Sequence, residues 1–216
     1  MRVQDAYDRL KAEIRANVLP PGFQATEPEI AQRLEMSRTP VREALIRLEA
    51  EGLITLVPRR GVCVKPIRPD DMREIYDVLT ALEPDAAARL AARGPSEAEL
   101  APLERATQQM EEALLREDLD GWARADDAFH LALLDAQGNG RLARIVATLL
   151  DQAHRARIVT LRLRQLPDRS TREHRDILSA LRRGDAEATR RLFRAHRMRA
   201  ADELMKCLET YQLSQL

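Results

Sequence analysis

The sequence predicts a mainly α chain, with a winged helix-turn-helix over residues 1–66 and an all-helical antiparallel bundle over 67–216. Two short helical patterns flank a tight turn near residue 35, and two strand-like runs follow them. Beyond Asp70 no strand pattern remains; Gly becomes scarce while Ala, Leu, Arg and Glu dominate.

Tyr7, Leu10, Ile14 and Val18 form the apolar stripe of an opening helix that stops before Leu19-Pro20-Pro21-Gly22, where proline cannot donate a helical hydrogen bond. Glu29 to Leu34 is a second short helix. Glu35-Met36 is the turn after it. Ser37 is placed to cap the third helix, whose Val41, Leu45 and Leu48 face inward. Arg38 and Arg42 then lie four apart on the opposite face, with Thr39 beside them at the positive helix end. Leu53–Val57 and Val62–Val64 pair as strands around the hairpin tip Pro58-Arg59-Arg60-Gly61, which carries two cations. Lys65-Pro66-Ile67-Arg68-Pro69 is a stiffened linker.

The bundle holds six helices joined by short connections. Asp70 or Asp71 caps the first, which runs to about residue 93. Ser96 and Glu99 form a capping box for the second; the third starts at Asp120 and is interrupted at Gly138-Asn139-Gly140. The fourth covers about residues 141–165, the fifth 168–183, and the last reaches roughly Gln212.

Composition excludes more than it assigns. Lys and Arg number 35, as do Asp and Glu, so any attraction for nucleic acid must come from local clustering. Residues 1–66 carry eleven basic against nine acidic side chains. No apolar run can span a bilayer and no secretory h-region opens the chain, so a cytoplasmic location is expected. Cys63 and Cys207 lie far apart without a CxxC pair, which suits reduced structural thiols.

Two constellations carry chemistry. The cationic face of the third helix, together with the basic hairpin tip, forms a surface for phosphates and base edges. The other constellation lies in the bundle, where Asp126 and His130 share one helix face and His174 and His196 stand on two later helices. One carboxylate and three imidazoles would suit a divalent ion, although spacing alone does not show that three helices converge.

Residues 7–64 resemble the DNA-binding domain of GntR-type transcription regulators, through the Pro-Gly turn, the Ser37-Arg38-Thr39-Pro40-Val41-Arg42-Glu43-Ala44-Leu45 core and the Glu51-Gly52-Leu53 helix end. The resemblance implies that Arg38, Thr39 and Arg42, next to Ser37, contact the major groove of double-stranded operator DNA, and that Gly61 with Arg59 and Arg60 reaches the minor groove. Residues 70–212 resemble the FCD effector domain of the FadR subfamily. The matching motifs are Asp126-Asp127-Ala128-Phe129-His130, Glu173-His174-Arg175 and Ala195-His196-Arg197. The helix count is nearer the VanR-like branch. This implies Asp126, His130, His174 and His196 as ligands to zinc first, or to nickel, manganese or iron, with Asp127 capping or solvent-facing and His154 taking no part. It also implies a homodimer, a small organic-acid effector and no enzymatic activity. Arg155 and Arg157 are candidate anion contacts on a helix that otherwise reads as a solvated face. The chain departs from the family at Glu35, where the family usually has Gly at a position that often wants positive φ, at Pro28, and at Leu79, where many relatives have a carboxylate-binding arginine. The expected function is a ligand-controlled repressor. A metal-dependent enzyme acting on small acids and a regulator with a purely structural ion are the alternatives.

Overall fold

A computed structural model describes residues 2–58 and 60–211. Helix α1 (Arg2–Arg15) buries Ala6, Tyr7, Leu10 and Ile14. It ends a turn earlier than its stripe predicts, because Asn17 takes a φ of 59°. Val18 is consequently exposed and Leu19 fills the core position.

Strand β1 (Gln24–Ala25) was not foreseen, since two residues are too short to show alternation. Helix α2 (Glu27–Leu34) begins at a capping box made by Thr26 and Glu29, with Pro28 in its first turn where a missing N–H is harmless. Glu35 closes it in the left-handed region at φ 56°, the conformation expected there. Helix α3 (Arg38–Ala50) buries Val41, Ala44, Leu45 and Leu48. Ser37 occupies the N-cap position, but its hydroxyl makes no capping bond. Strands β2 (Ile54–Val57) and β3 (Gly61–Val64) pair antiparallel, Leu56 opposite Val62, and β1 adds to the far edge of β3. One apolar cluster built from Ala6 to Val64 holds these elements together.

Six longer helices follow among the described residues: α4 (Pro69–Arg93), α5 (Glu97–Leu115), α6 (Leu119–Ala136), α7 (Gly140–Thr160), α8 (Asp168–Arg182) and α9 (Ala186–Thr210). Several starts differ from expectation. Arg68 stands at the N-cap of α4 with Pro69 first in the helix, so Asp70 and Asp71 meet the positive end from the first turn rather than as caps. Asp118, not Asp120, caps α6 by accepting from Gly121. Helix α7 stops at Thr160 and tightens into a 3-10 turn, Leu161–Leu163. The end near Gln212 lies outside the described residues. Two apolar clusters fill the bundle, one around Phe129 and Phe193, the other around Leu79, Leu150 and Leu204. Polar side chains occupy the space between α4, α6, α8 and α9.

Candidate functional site

Helix α3 presents Arg38, Thr39 and Arg42 to solvent, with Ser37 exposed just before it, while Pro40 and Val41 are buried beneath. The inward stripe fixes the helix, so the outward guanidinium groups stand ready for an incoming anion. Arg60 on the wing is exposed; Arg59 lies outside the described residues. Gly61 has a local structural reason to be glycine. Its φ is +93°, and a Cβ there would come within 2.3 Å of the Ala25 carbonyl oxygen on β1.

In the bundle, α6, α8 and α9 bring His130, His174 and His196 together, with one ring nitrogen from each lying within 4.8 Å of the others. All three are almost completely buried. The Nε2 atoms of His130 and His174 are 3.4 Å apart. Two imidazoles on one tetrahedral ion hold their nitrogens at about that spacing, given bonds of roughly 2.0–2.1 Å.

The remaining nitrogens are already engaged. His174 Nδ1 lies 2.7 Å from the Ser170 carbonyl oxygen, and His196 Nδ1 lies 2.8 Å from Glu173 Oε2. His130 Nδ1 lies 3.2 Å from Glu83 Oε1 and 2.9 Å from Arg197 Nη2. A ring that donates from Nδ1 to an acceptor turns the Nε2 lone pair inward, and the carbonyl behind His174 and the carboxylate behind His196 favour that tautomer, whereas His130 Nδ1 stands between the Glu83 carboxylate and the Arg197 guanidinium, which can only donate. Burial, reinforced by the neighbouring His196, holds His174 well below its usual 6.5. Burial lowers His196 to about 4 against the opposing pull of Glu173. These two imidazoles are therefore neutral donors at pH 7.

Asp126 stands one turn before His130, with Oδ1 3.5 Å from His174 Nε2 and Oδ2 3.9 Å from His130 Nε2. Arg157 Nη1 meets the same carboxylate at 2.8 Å. Burial would raise its pKa, but Arg157 and the histidines hold it well below the carboxylate range. The donor set of three imidazoles and an ionised carboxylate suits a divalent cation of nitrogen and oxygen preference.

Several expectations on α6 and α7 are corrected. Asp127 is neither a cap nor solvent-facing; it is buried and ion-paired with Arg15 of α1, Nη2 to Oδ2 at 2.5 Å. Arg155 and Arg157 do not form a solvated face, since both are buried. Arg157 lines the cavity beside the histidines, whereas Arg155 does not and instead donates to the Lys65 carbonyl oxygen. Leu79 belongs to the apolar core and has no place on the cavity wall.

Glu173 and Arg197 were read from the sequence only as motif neighbours of the histidines, and Glu83 was given no role. Glu83 had a readable signal: it lies four residues after Leu79 on the buried stripe of α4, where an unpaired carboxylate would be strongly unfavourable. Arg197 answers it with Nε 2.5 Å from Oε2 and Nη2 2.7 Å from Oε1.

A DNA-reading head of this build, joined to a helical bundle with a buried histidine centre, defines a class of bacterial transcription regulator. The gntR family of bacterial regulatory proteins matches residues 2–64, and the FCD domain matches residues 74–199. The chain belongs to the GntR family, with an FCD domain as its second part. It is thus a DNA-binding transcription regulator and not an enzyme; GntR regulators bind operator DNA and small-molecule effectors.

An uncharacterised HTH-type regulator from the TAR-I ttuE-ttuC' intergenic region of Agrobacterium vitis is 50% identical over 135 residues, covering 62% of this chain and 79% of that one. The HTH-type transcriptional repressor RspR of Escherichia coli K12 is 32% identical over 193 residues, 89% of this chain and 84% of its own. The solved structure of E. coli McbR/YncC shares the fold with a TM-score of 0.84 at 21% identity, covering 98% of this chain and 99% of its own. Among the described residues no helix is long and apolar enough to cross a membrane.

Proposed function

We propose that this regulator is a repressor that reads its operator as a homodimer and is controlled by a small organic acid at a divalent-metal centre formed by Asp126, His130, His174 and His196. The observation that carries the reading is the convergence of three ring nitrogens, with the His174 and His196 rings held from behind and His196 reaching the wall of a cavity. An ion held there would offer positive charge and open coordination positions to a ligand oxygen. Zinc is the first candidate because the donors are mostly nitrogen and tightly buried. The name of the E. coli relative supports the repressor assignment.

On the DNA side, Ser37, Arg38, Thr39 and Arg42 would face the major groove, with Arg59, Arg60 and Gly61 near the minor groove. One short helix contacts few base pairs, and two copies a helical turn apart match successive major-groove faces. Exposed Val78 and Met198, on α4 and α9, support pairing through that side of the bundle.

The coupling between the two parts is supported by direct contacts. Asp126 faces the histidine centre while its neighbour Asp127 holds Arg15 of the DNA-binding head. Asp151 of α7 takes the same arginine and Lys11, and Gln152 donates to the Glu51 carbonyl oxygen at the end of α3. A small shift of α6 at the cavity would thus change how the head is seated, provided the ligand prefers one arrangement.

Two measurements test this. Chelator-stripped protein titrated with zinc should take up a single ion per chain, and His174→Ala should abolish that uptake; a wild-type chain that binds no divalent ion sinks the metal reading. In operator gel shifts, Arg38→Ala with Arg42→Ala should abolish sequence-specific binding, each arginine contributing about 1–3 kcal/mol. Retained specificity would sink the DNA reading.

A further inference from the structure

The cavity at the histidine centre has a volume of about 480 Å³. Most of its charges are answered within the wall. Arg157 pairs with Asp126, Arg197 with Glu83, Arg169 with Glu173, and Arg199 with both Glu173 and Glu203. Two lining cations remain. Among the described residues, Arg164 and Lys206 have no carboxylate within ion-pair distance.

Arg164 is the more informative of the two. It follows the 3-10 turn that ends α7, which swings the chain off the helix axis and onto the cavity wall. Its Nε is shut off from solvent and has no hydrogen-bond partner. Burial, with Arg157 nearby adding to the effect, lowers its pKa from the usual 12.5. A half-buried guanidinium with one N–H shut off from water, beside a second guanidinium, is disfavoured until an anion meets it. Its planar fork suits a carboxylate in particular. Lys206 lies ten residues beyond His196 on α9, about 15 Å along the helix, so it marks the far end of the same space.

We infer that the cavity takes a dicarboxylic acid, with one carboxylate at the histidine centre and the second on Arg164, assisted by Lys206 at the rim. This rests on the reading of the centre as an effector site and specifies the ligand's second end. A monocarboxylic acid of equal length would leave the half-buried Arg164 unmet. Leu79 faces the apolar core, so the cations of the cavity come from the α7–α8 connection and α9.

The test compares equal-length pairs on zinc-loaded protein by calorimetry: butyrate with succinate, pentanoate with glutarate, hexanoate with adipate. At one chain length or more the diacid should bind about ten- to a hundredfold tighter, the range for a charge-assisted hydrogen-bonded pair. Arg164→Met should remove that preference and leave monoacid affinity unchanged, and Lys206→Met should weaken it. Diacids no tighter than monoacids at every length would overturn the inference while leaving the effector site standing. So would a preference that survives in the Arg164→Met, Lys206→Met double variant. If no acid of either kind binds, the effector reading fails with it. Thermal melting without any ligand provides an independent readout. Removing an unanswered charge should leave the midpoint of Arg164→Met unchanged or higher, and a clear drop would show that Arg164 is already satisfied by the fold.

Discussion

Replacing Glu83 by Gln should separate what holds the bundle together from what orients His130. Glu83 is fully buried, and the Arg197 guanidinium that grips it is 1% exposed. Burial alone would raise the Glu83 pKa; Arg197, with His130, overcomes this and brings it from 4.5 down to about 2. A depression of that size corresponds to about 3 kcal/mol of stability. It matches the roughly 3–5 kcal/mol lost when one partner of a buried ion pair is removed. For a chain of this length the midpoint of thermal unfolding should fall by about 6–12 °C. Because the folded pKa is depressed, this stability is present above pH 4.5 and is lost as pH falls through about 2. The wild type should weaken across that window and Glu83→Gln should not show that component.

Zinc affinity should fall about ten- to a hundredfold in the same variant, since the charged carboxylate behind His130 is exchanged for a weaker, neutral amide that no longer holds Arg197 in place. The double variant Glu83→Leu with Arg197→Leu should regain most of the stability, because an apolar pair of similar volume replaces a buried ion pair at little net cost. It should not regain the affinity. Urea unfolding in chelator gives the first quantity and zinc titration the second. Stability within about 1 kcal/mol of wild type, with zinc affinity unchanged, would refute the reasoning.

Three further outcomes follow from the geometry. Asp127→Asn removes one of the two carboxylates on Arg15 and should cost about 1–3 kcal/mol, between the exposed and buried extremes; gel shifts should show a carboxylate effector losing part of its influence on operator affinity, with zinc binding intact. Gly61→Ala, which sets a Cβ against the Ala25 carbonyl at positive φ, should destabilise the winged head by about 1–3 kcal/mol, measured by urea unfolding. Acidification of chelator-treated protein should reduce stability from pH 6.5 down to about 4, because burial lowers both His154 and His196 to about 4 and the unfolded chain takes up their protons first. His154→Phe should flatten part of that slope.

The head was legible because local rules decide it. Val41, Leu45 and Leu48 fix which side of α3 is buried, so Arg38 and Arg42 are exposed by elimination. The left-handed turn at Glu35 and the wing pairing of Leu56 with Val62 are equally local. In the bundle the helices were legible, but the partners of their charges were not. Helical spacing places Asp126 and His130 on one face, yet says nothing of which guanidinium will cross from another helix to meet them. Asp127 looked like a surface residue because its partner, Arg15, is 112 positions away in another part of the fold. Arg155 and Arg157 looked solvated for the same reason, since an arginine is buried only where a distant acceptor waits for it. The short β1 strand escaped notice because two residues show no period.

The consecutive carboxylates Asp126 and Asp127 show why these long-range pairs matter for function. On a helix, neighbouring residues point about a quarter-turn apart, so one backbone segment can serve two separate environments. Asp126 touches the histidine centre and Arg157; Asp127 touches Arg15 of the head and stands 3.7 Å from His154. Helix α7 repeats the arrangement, with Arg157 turned to the cavity and Arg155 to the Lys65 carbonyl between wing and bundle. Both helices therefore carry one charged contact inward and one towards the head, within a turn of each other. A ligand drawing on Asp126 or Arg157, as proposed, would act on the same short segments that seat the DNA-reading domain, whose charged side chains are buried. Coupling then requires no long chain of intermediates. It requires only that the preferred positions of α6 and α7 differ by a fraction of an ångström between filled and empty cavity, which packed interfaces convert into discrete alternatives.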